Sequence, residues 1–351
     1  MKITERECNQ LAFQHQDTPW VPSPSTGQDT CIPTVIEEGA RGYGVTTDWF
    51  GVKYLYREDQ PGPMPVESEP KITDIENWRD VVTFPDLDKY DWEGWAAKDT
   101  AGWDRVNKLS NVILINGCFE SLHMFCGFEE ALVNIMMDEE ASSDFMGAIA
   151  DYKIGLIERI AKYYKPDMIQ FHDDYSNNDN LFMPVDKWQR IIKPHLKRVI
   201  DAVHGLGMIY QHHSCGKIHD LIPELVELGV DALNPVQIQN NPLEVKQQFG
   251  DKLTVCGGFD NQGVLDNAYA TTQQIRDSIN ETLNTLAPGG KWMALCGFVD
   301  KFADRKQIWL DCLDEYNRPL MEKAGVPWER HIAKDVNVYN LADNAERQQN
   351  G

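Results

Sequence analysis

Basic residues are the scarce class in this 351-residue chain: 33 Lys and Arg stand against 55 Asp and Glu, a net charge of −22. A surface that acidic repels phosphate backbones and anionic lipid, so nucleic-acid and membrane-surface binding are not expected. Long apolar runs are missing too. The opening MKITERECNQLAFQHQ holds no stretch of signal-peptide length, and no segment approaches the roughly 20 apolar residues of a spanning helix. A cytoplasmic protein is expected. The eight cysteines (Cys8, Cys31, Cys118, Cys126, Cys215, Cys256, Cys296, Cys312) are scattered, not arrayed as in a small disulfide scaffold. In a reducing compartment such residues pack, ligate metals or act as nucleophiles. No internal repeat stands out. No phosphate-binding glycine fingerprint follows the first regular strand, which weakens the case for a nucleotide-binding sheet.

Aromatic material is plentiful, with 10 Trp, 12 Tyr and 13 Phe, so an ordered core is expected. From about Asn111 strand-length apolar runs alternate with amphipathic stretches. Residues 112–117, 168–172, 208–213, 232–236, 253–256 and 292–296 read as six strands. Phe145, Ile149, Tyr152, Leu156 and Ile160 mark one helix face, and Ile275, Ile279, Leu283 and Leu286 another. Leu196, Val199, Ile200 and Val203 mark a helix broken near Pro194. A short helix around Leu221–Leu228 stops at Gly229, and Ile308, Leu310 and Cys312 lie in a closing helix. Such alternation predicts a parallel sheet covered by helices. The expected architecture is an α/β, TIM-type (β/α)8 barrel, with residues 1–351 as one domain. Two further strands are sought near Trp20–Val21 and before Asn111. Residues 37–107, rich in Trp, Pro and acidic groups, read as an insertion or lid, with a hairpin over Gly42–Tyr56.

Three polar clusters fall at strand ends, the edge where barrel enzymes place their chemistry. In the first, His213 and Cys215 are two residues apart, so an extended chain puts both on one face. A nitrogen and a thiolate suit zinc. Two later strands end in Cys-Gly, at Cys256 and Cys296, and either sulfur can complete a three-ligand set with an open fourth position. The rival reading is buried packing cysteines. In the second cluster, Asp173 and Asp174 are candidate acids or turn caps, with Tyr175 and Asn177 as candidate substrate contacts. The third, Gly257 to Gln262, offers Asp260 as an acid or a cap and Gln262 as a substrate contact. His195, His204, His212, His219 and Cys312 have no partner at diagnostic spacing and read as structural.

The order HDDYSNN, HHSCGKIHDLIPELVELGVDALNPVQ, LTVCGGFDNQ and LAPGGKWMALCG resembles the uroporphyrinogen decarboxylase-like superfamily, over roughly Asn111 to Arg318. Within it, the cobamide-dependent methyltransferases are the nearest likeness. The resemblance implies a (β/α)8 barrel and a Zn2+ held by His213, Cys215 and Cys296, with Cys256 as alternative ligand. It also implies a cobamide supplied by a partner corrinoid protein. The decarboxylases carry an arginine-rich motif near the N-terminus; the corresponding TPWVPSPSTG has no arginine, which counts against decarboxylation. The long insertion resembles the methyltransferase I component of anaerobic aromatic O-demethylases, which loads the substrate's methyl onto a corrinoid protein. O-demethylation of a methoxylated aromatic is therefore the expected activity, with Trp49 and Phe50 as an apolar wall for the ring. A methylcobamide:thiol methyltransferase and a non-catalytic binding barrel are the alternatives, and homodimerisation stays open.

Overall fold

In the computed structural model, which describes residues 3–39, 42–57, 62–297 and 303–332, the alternating pattern becomes a curled parallel sheet. The strands are β1 (Gln28–Cys31), β2 (Gly44–Thr47), β3 (Lys53–Tyr56), β4 (Met64–Pro65), β5 (Leu109–Leu114), β6 (Met168–His172), β7 (Ile209–His213), β8 (Ala232–Val236), β9 (Thr254–Gly257) and β10 (Trp292–Met293). Seven form one sheet in the order β1-β5-β6-β7-β8-β9-β10, with every pairing parallel. From β5 onward each strand lies beside its chain neighbour, the winding of a barrel and not of a doubly wound sheet. The result is a seven-stranded half-barrel consistent with the expected TIM-type fold. All six strands read from apolar runs are present, although the last stops at Met293, short of Cys296.

The two extra strands need correcting. The first stave is Gln28–Cys31, paired from Gln28↔Leu109 to Cys31↔Val112, and not Trp20–Val21. Its sequence, QDTC, is polar and offers no apolar run to read. The Trp20–Pro22 segment runs along the far end of the sheet instead, where Ala294 N–H donates to the Pro22 carbonyl at 2.9 Å. The stretch before Asn111 supplies only the start of β5, at Leu109.

Helices follow their periodicity. The five-residue stripe from Phe145 to Ile160 lies on one 25-residue helix, Glu139–Tyr163, and all five side chains are buried. The break near Pro194 separates helices Val185–Ile191 and Lys193–Gly205, since proline suits a first helical turn but not an interior. Gly229 ends helix Ile222–Leu228 in the left-handed conformation, φ 87°. Helix Thr272–Leu286 begins with a Thr271/Gln274 capping box and buries the predicted stripe. Cys312 is fully buried on helix Ala303–Lys323. No helix among the described residues is long and apolar enough to cross a membrane.

The N-terminal helix Glu5–Phe13 packs Ala12 and Phe13 against Leu109, Met168, Ala232, Cys256 and Met293. These residues come from β5, β6, β8, β9 and β10, so the helix plugs one end of the sheet interior. Two hydrogen bonds add to this: Thr254 Oγ1 donates to the Ala12 carbonyl at 2.6 Å, and Arg6 Nη1 to Asp167 at 2.7 Å.

Strands β2, β3 and β4 of the insertion form an antiparallel sheet in which the predicted hairpin pairs Gly44↔Tyr56 through Thr47↔Lys53. Asp48 ties its turn by accepting from the N–H groups of Phe50 and Val52, both at 2.9 Å. The insertion packs on helix Glu139–Tyr163: the rings of Trp78 and Phe145 lie 5.3 Å apart, as do those of Phe50 and Tyr152.

Candidate metal centre

His213 and Cys215 do come together, although Cys215 lies two residues past the end of the strand. His213 ends β7, and its Nε2 lies 3.4 Å from Cys215 Sγ. The turn that brings the thiol round depends on Gly216, at φ 84°, where a Cβ would sit 2.3 Å from Ser176 Oγ and 2.5 Å from the Asn177 carbonyl. Only glycine passes there without strain. Beside the pair stands Asp174, from the loop after β6, whose Oδ1 accepts from Cys215 N–H at 2.7 Å. One ligand atom each of Asp174, His213 and Cys215 lies within 4.8 Å of the other two, the only such trio of metal-ligating side chains among the described residues. Carboxylate, imidazole and thiol converging at this spacing form a donor set that fits zinc. Burial keeps the His213 imidazole neutral by lowering its pKa, against the attraction of Asp174. Burial pushes the Cys215 thiol up to about 12, helped by the nearby Asp174 and Glu120 carboxylates. A divalent ion would reverse that preference by binding the thiolate.

The two remaining sulfurs occupy different places. Cys256 is fully buried in the layer plugged by Ala12 and Phe13, where its Sγ accepts from Gln211 Nε2 at 3.5 Å. It lies in the sheet interior and outside the Asp174–His213–Cys215 trio. Cys296 is partly buried beyond β10, with Asp260 as its charged neighbour, and stands outside the 4.8 Å trio.

The acidic candidates divide sharply. Asp173, with no exposed surface, accepts from the N–H groups of Phe119 (3.1 Å) and Glu120 (2.9 Å) and from Tyr175 Oη (2.9 Å). It thus caps helix Cys118–Cys126 from the neighbouring strand. Burial raises its pKa to about 7 against these donors. Asp260 accepts from Gly263 and Val264 N–H, both at 2.9 Å, and closes a turn. Asn177 does the same for Asp179 and Asn180 (2.9 and 2.8 Å) and is exposed, as is Gln262. Tyr175 is wholly buried on Asp173. Phe50 is 6% exposed and held among Phe84, Phe125 and Tyr152, with ring distances from 5.2 to 5.8 Å. Trp49 lies partly buried against Tyr90, at 5.0 Å. Of the acids, only Asp174 faces the His-Cys pair as a prospective ligand.

Three further residues border the site: His172, which opens the second strand-end cluster without a role of its own, and Asn234 and Glu120, which the sequence pattern does not single out. His172 ends β6 opposite His213 in the sheet register, and the two imidazoles stack at 3.8 Å with their planes 5° apart. Asn234, on β8, has its Oδ1 2.7 Å from His213 Nδ1. Glu120 sits against Asp173 and Asp174, and burial together with these two carboxylates raises its pKa well above normal. Laying the ends of the predicted strands side by side brings Asn234 next to His213; Glu120, on a helix, carries no such signal.

A family model described as Uroporphyrinogen decarboxylase (URO-D) matches residues 114–298, a span that holds every member of the trio. Among solved structures, a methyltransferase from Methanosarcina mazei superposes with a TM-score of 0.66 at 12% identity, covering 90% of this chain and 99% of that one. At that identity the likeness concerns the fold. An N-acetyl-D-glucosamine-6-phosphate deacetylase from Mycobacterium smegmatis overlaps at a TM-score of 0.31 and 10% identity, covering 67% of this chain and 71% of that one, too loosely to bear on the argument. No curated protein matches the sequence.

Proposed function

We propose, for a chain that belongs to the uroporphyrinogen decarboxylase (URO-D) family, that it is a zinc-dependent methyltransferase of the (β/α)8 class. In this reading it moves a methyl group from a methoxylated aromatic to the cob(I)amide of a separate corrinoid protein. The O–CH3 bond breaks, a Co–CH3 bond forms and the phenolate departs. The observation that carries the reading is the convergence of Asp174, His213 and Cys215 within 4.8 Å at the C-terminal edge of the sheet. His213 and Cys215 would hold the ion with either Asp174 or Cys296 as the third protein ligand, which leaves the fourth position open to the ether oxygen. Zinc supplies Lewis acidity to the ether oxygen, which otherwise leaves poorly.

The chain's own groups have separable tasks. Stacking on His172 limits rotation of the His213 ring. Glu120, held protonated by burial, is a proton source for the departing phenolate. Trp49 and the rest of the 37–107 insertion, as a lid, supply apolar surface for the aromatic ring. Decarboxylation is disfavoured because Thr18–Gly27 carries no arginine to hold a carboxylate-rich substrate, while Asp174 within the trio and Glu120 beside it are acidic.

The test is direct. The purified protein is assayed for zinc, then incubated with reduced corrinoid protein and a panel of methoxybenzenes, methylamines and methanol, the corrinoid spectrum being followed. About one zinc per chain, and methyl-cobalt formed from methoxybenzenes alone, is the expected result. Zinc near zero, or demethylation of methyl-cobalt that requires an added thiol, overturns it; the latter outcome assigns the thiol-acceptor reaction.

A further inference from the structure

Barrel interiors are usually filled by branched apolar side chains, yet here amides meet across β1, β5, β6 and β8. Asn111 Nδ2 donates to Gln28 Oε1 and to Gln170 Oε1, both at 3.4 Å. Asn234 Nδ2 donates to the same Gln170 Oε1 at 3.2 Å, and Gln170 Nε2 donates to His172 Nε2 at 2.7 Å. Asn234 is 1% exposed and Asn111 2%, so these bonds are made away from water, where leaving one unmade is costly.

The chain of bonds has a direction. Gln170 Oε1 can only accept, so it fixes which end of the Asn234 amide is nitrogen. The Asn234 oxygen is thereby turned to His213 Nδ1, at 2.7 Å. An amide oxygen carries no proton, so the imidazole must hold its proton on Nδ1. Nε2, the nitrogen that faces Cys215 Sγ at 3.4 Å, is left unprotonated, with a lone pair that a metal ion can take in place of the thiol hydrogen.

We propose that Asn234, held in register by Gln170, is a positioning residue that fixes the His213 tautomer and presents Nε2 to an incoming metal ion. The purpose of the device rests on the zinc reading above; the tautomer itself does not. His172 belongs to the same arrangement, since the Gln170 amide that orients Asn234 also orients the ring stacked on His213.

The experiment uses the full chain labelled with 15N-histidine, first without metal. Two-bond 15N–1H correlations identify the protonated ring nitrogen, and His213→Gln assigns the signal. Nδ1–H is expected in the native protein. Asn234→Leu is expected to yield mixed tautomers and to weaken Zn2+ binding by ~10–100-fold, the usual cost of losing such a partner. Asn234→Asp, which retains the acceptor, is expected to restore both. A native protein protonated on Nε2 overturns the proposal, whether or not the leucine variant folds. A folded Asn234→Leu that keeps the Nδ1–H tautomer and native zinc affinity overturns it equally. Native Nδ1–H with no methyl transfer to corrinoid supports this inference while sinking the function proposed above, so the two fail separately.

Discussion

Asp173 and Asp174 are adjacent carboxylates with unlike duties, and substitution should separate them. Removing the Asp173 side chain strands two backbone N–H groups and a buried tyrosine hydroxyl. Asp173→Ala is expected to lower unfolding stability by about 2–4 kcal/mol, read by urea titration. Asp174→Ala, which loses one part-buried hydrogen bond from Cys215 N–H, should lower unfolding stability by only about 1 kcal/mol and reduce bound zinc in the purified protein. Equal zinc loss in both variants, with equal stability, would refute this division. The sequence made the pair visible but not the split, because which carboxylate reaches a helix N-terminus is decided by the next element in space. Gly117 shows the same limit. Its Cβ would fall 2.4 Å from the Asp173 side chain, a contact between positions 56 residues apart that no local pattern announces. Nor does the H-x-C spacing say which third group joins it: Asp174 arrives from the β6 loop, where it read only as a candidate acid or cap.

Among the elements, helix Glu139–Tyr163 carries the most responsibility, since it joins the half-barrel to the insertion. Periodicity revealed its buried stripe, yet two polar residues that anchor the insertion were silent. Lys153 is 1% exposed and ion-paired with Glu38, whose other oxygen accepts from Tyr152 Oη at 2.7 Å. Lys153→Ala would leave the Glu38 charge buried and unpaired, and is expected to cost about 3–5 kcal/mol, seen as a lower urea midpoint; Glu38→Gln in the same background should recover part of it. A full-cost loss in Lys153→Ala with no recovery would instead indicate lost packing. Asp48 lies nearby, and burial raises its pKa from 3.8 to about 6, opposed by the N–H groups of Val52 and Phe50. A carboxyl whose folded pKa is raised binds its proton more tightly in the native state, so its contribution is complete below about pH 4 and is lost as pH rises through about 6. The stability of the native protein relative to Asp48→Asn is therefore expected to fall by about 3 kcal/mol between those limits. A pH-independent difference between the two would contradict the assignment. Strand β1 was illegible for a related reason: it is short and polar, and its pairing with β5 comes from the sheet edge and not from its own composition.

For the whole molecule, the net charge of −22 bears on the proposed corrinoid partner more than on the fold. Like charges at protein surfaces repel over roughly a Debye length, about 10 Å at 0.1 M salt. An acidic partner approaching this surface would be slowed, so a partner that docks productively is expected to present basic residues. Such complementarity acts chiefly on the association rate. Raising ionic strength from about 0.05 to about 0.5 M should then slow association by roughly 10-fold or more, with a smaller effect on dissociation. Surface-immobilised protein and soluble corrinoid protein give both rates in one experiment. The prediction is specific in sign: an association rate that climbs with salt would mean that the partner too is acidic and merely tolerated. A rate unchanged by salt would mean that the contact is made where the charge does not reach, leaving apolar surface to select the partner.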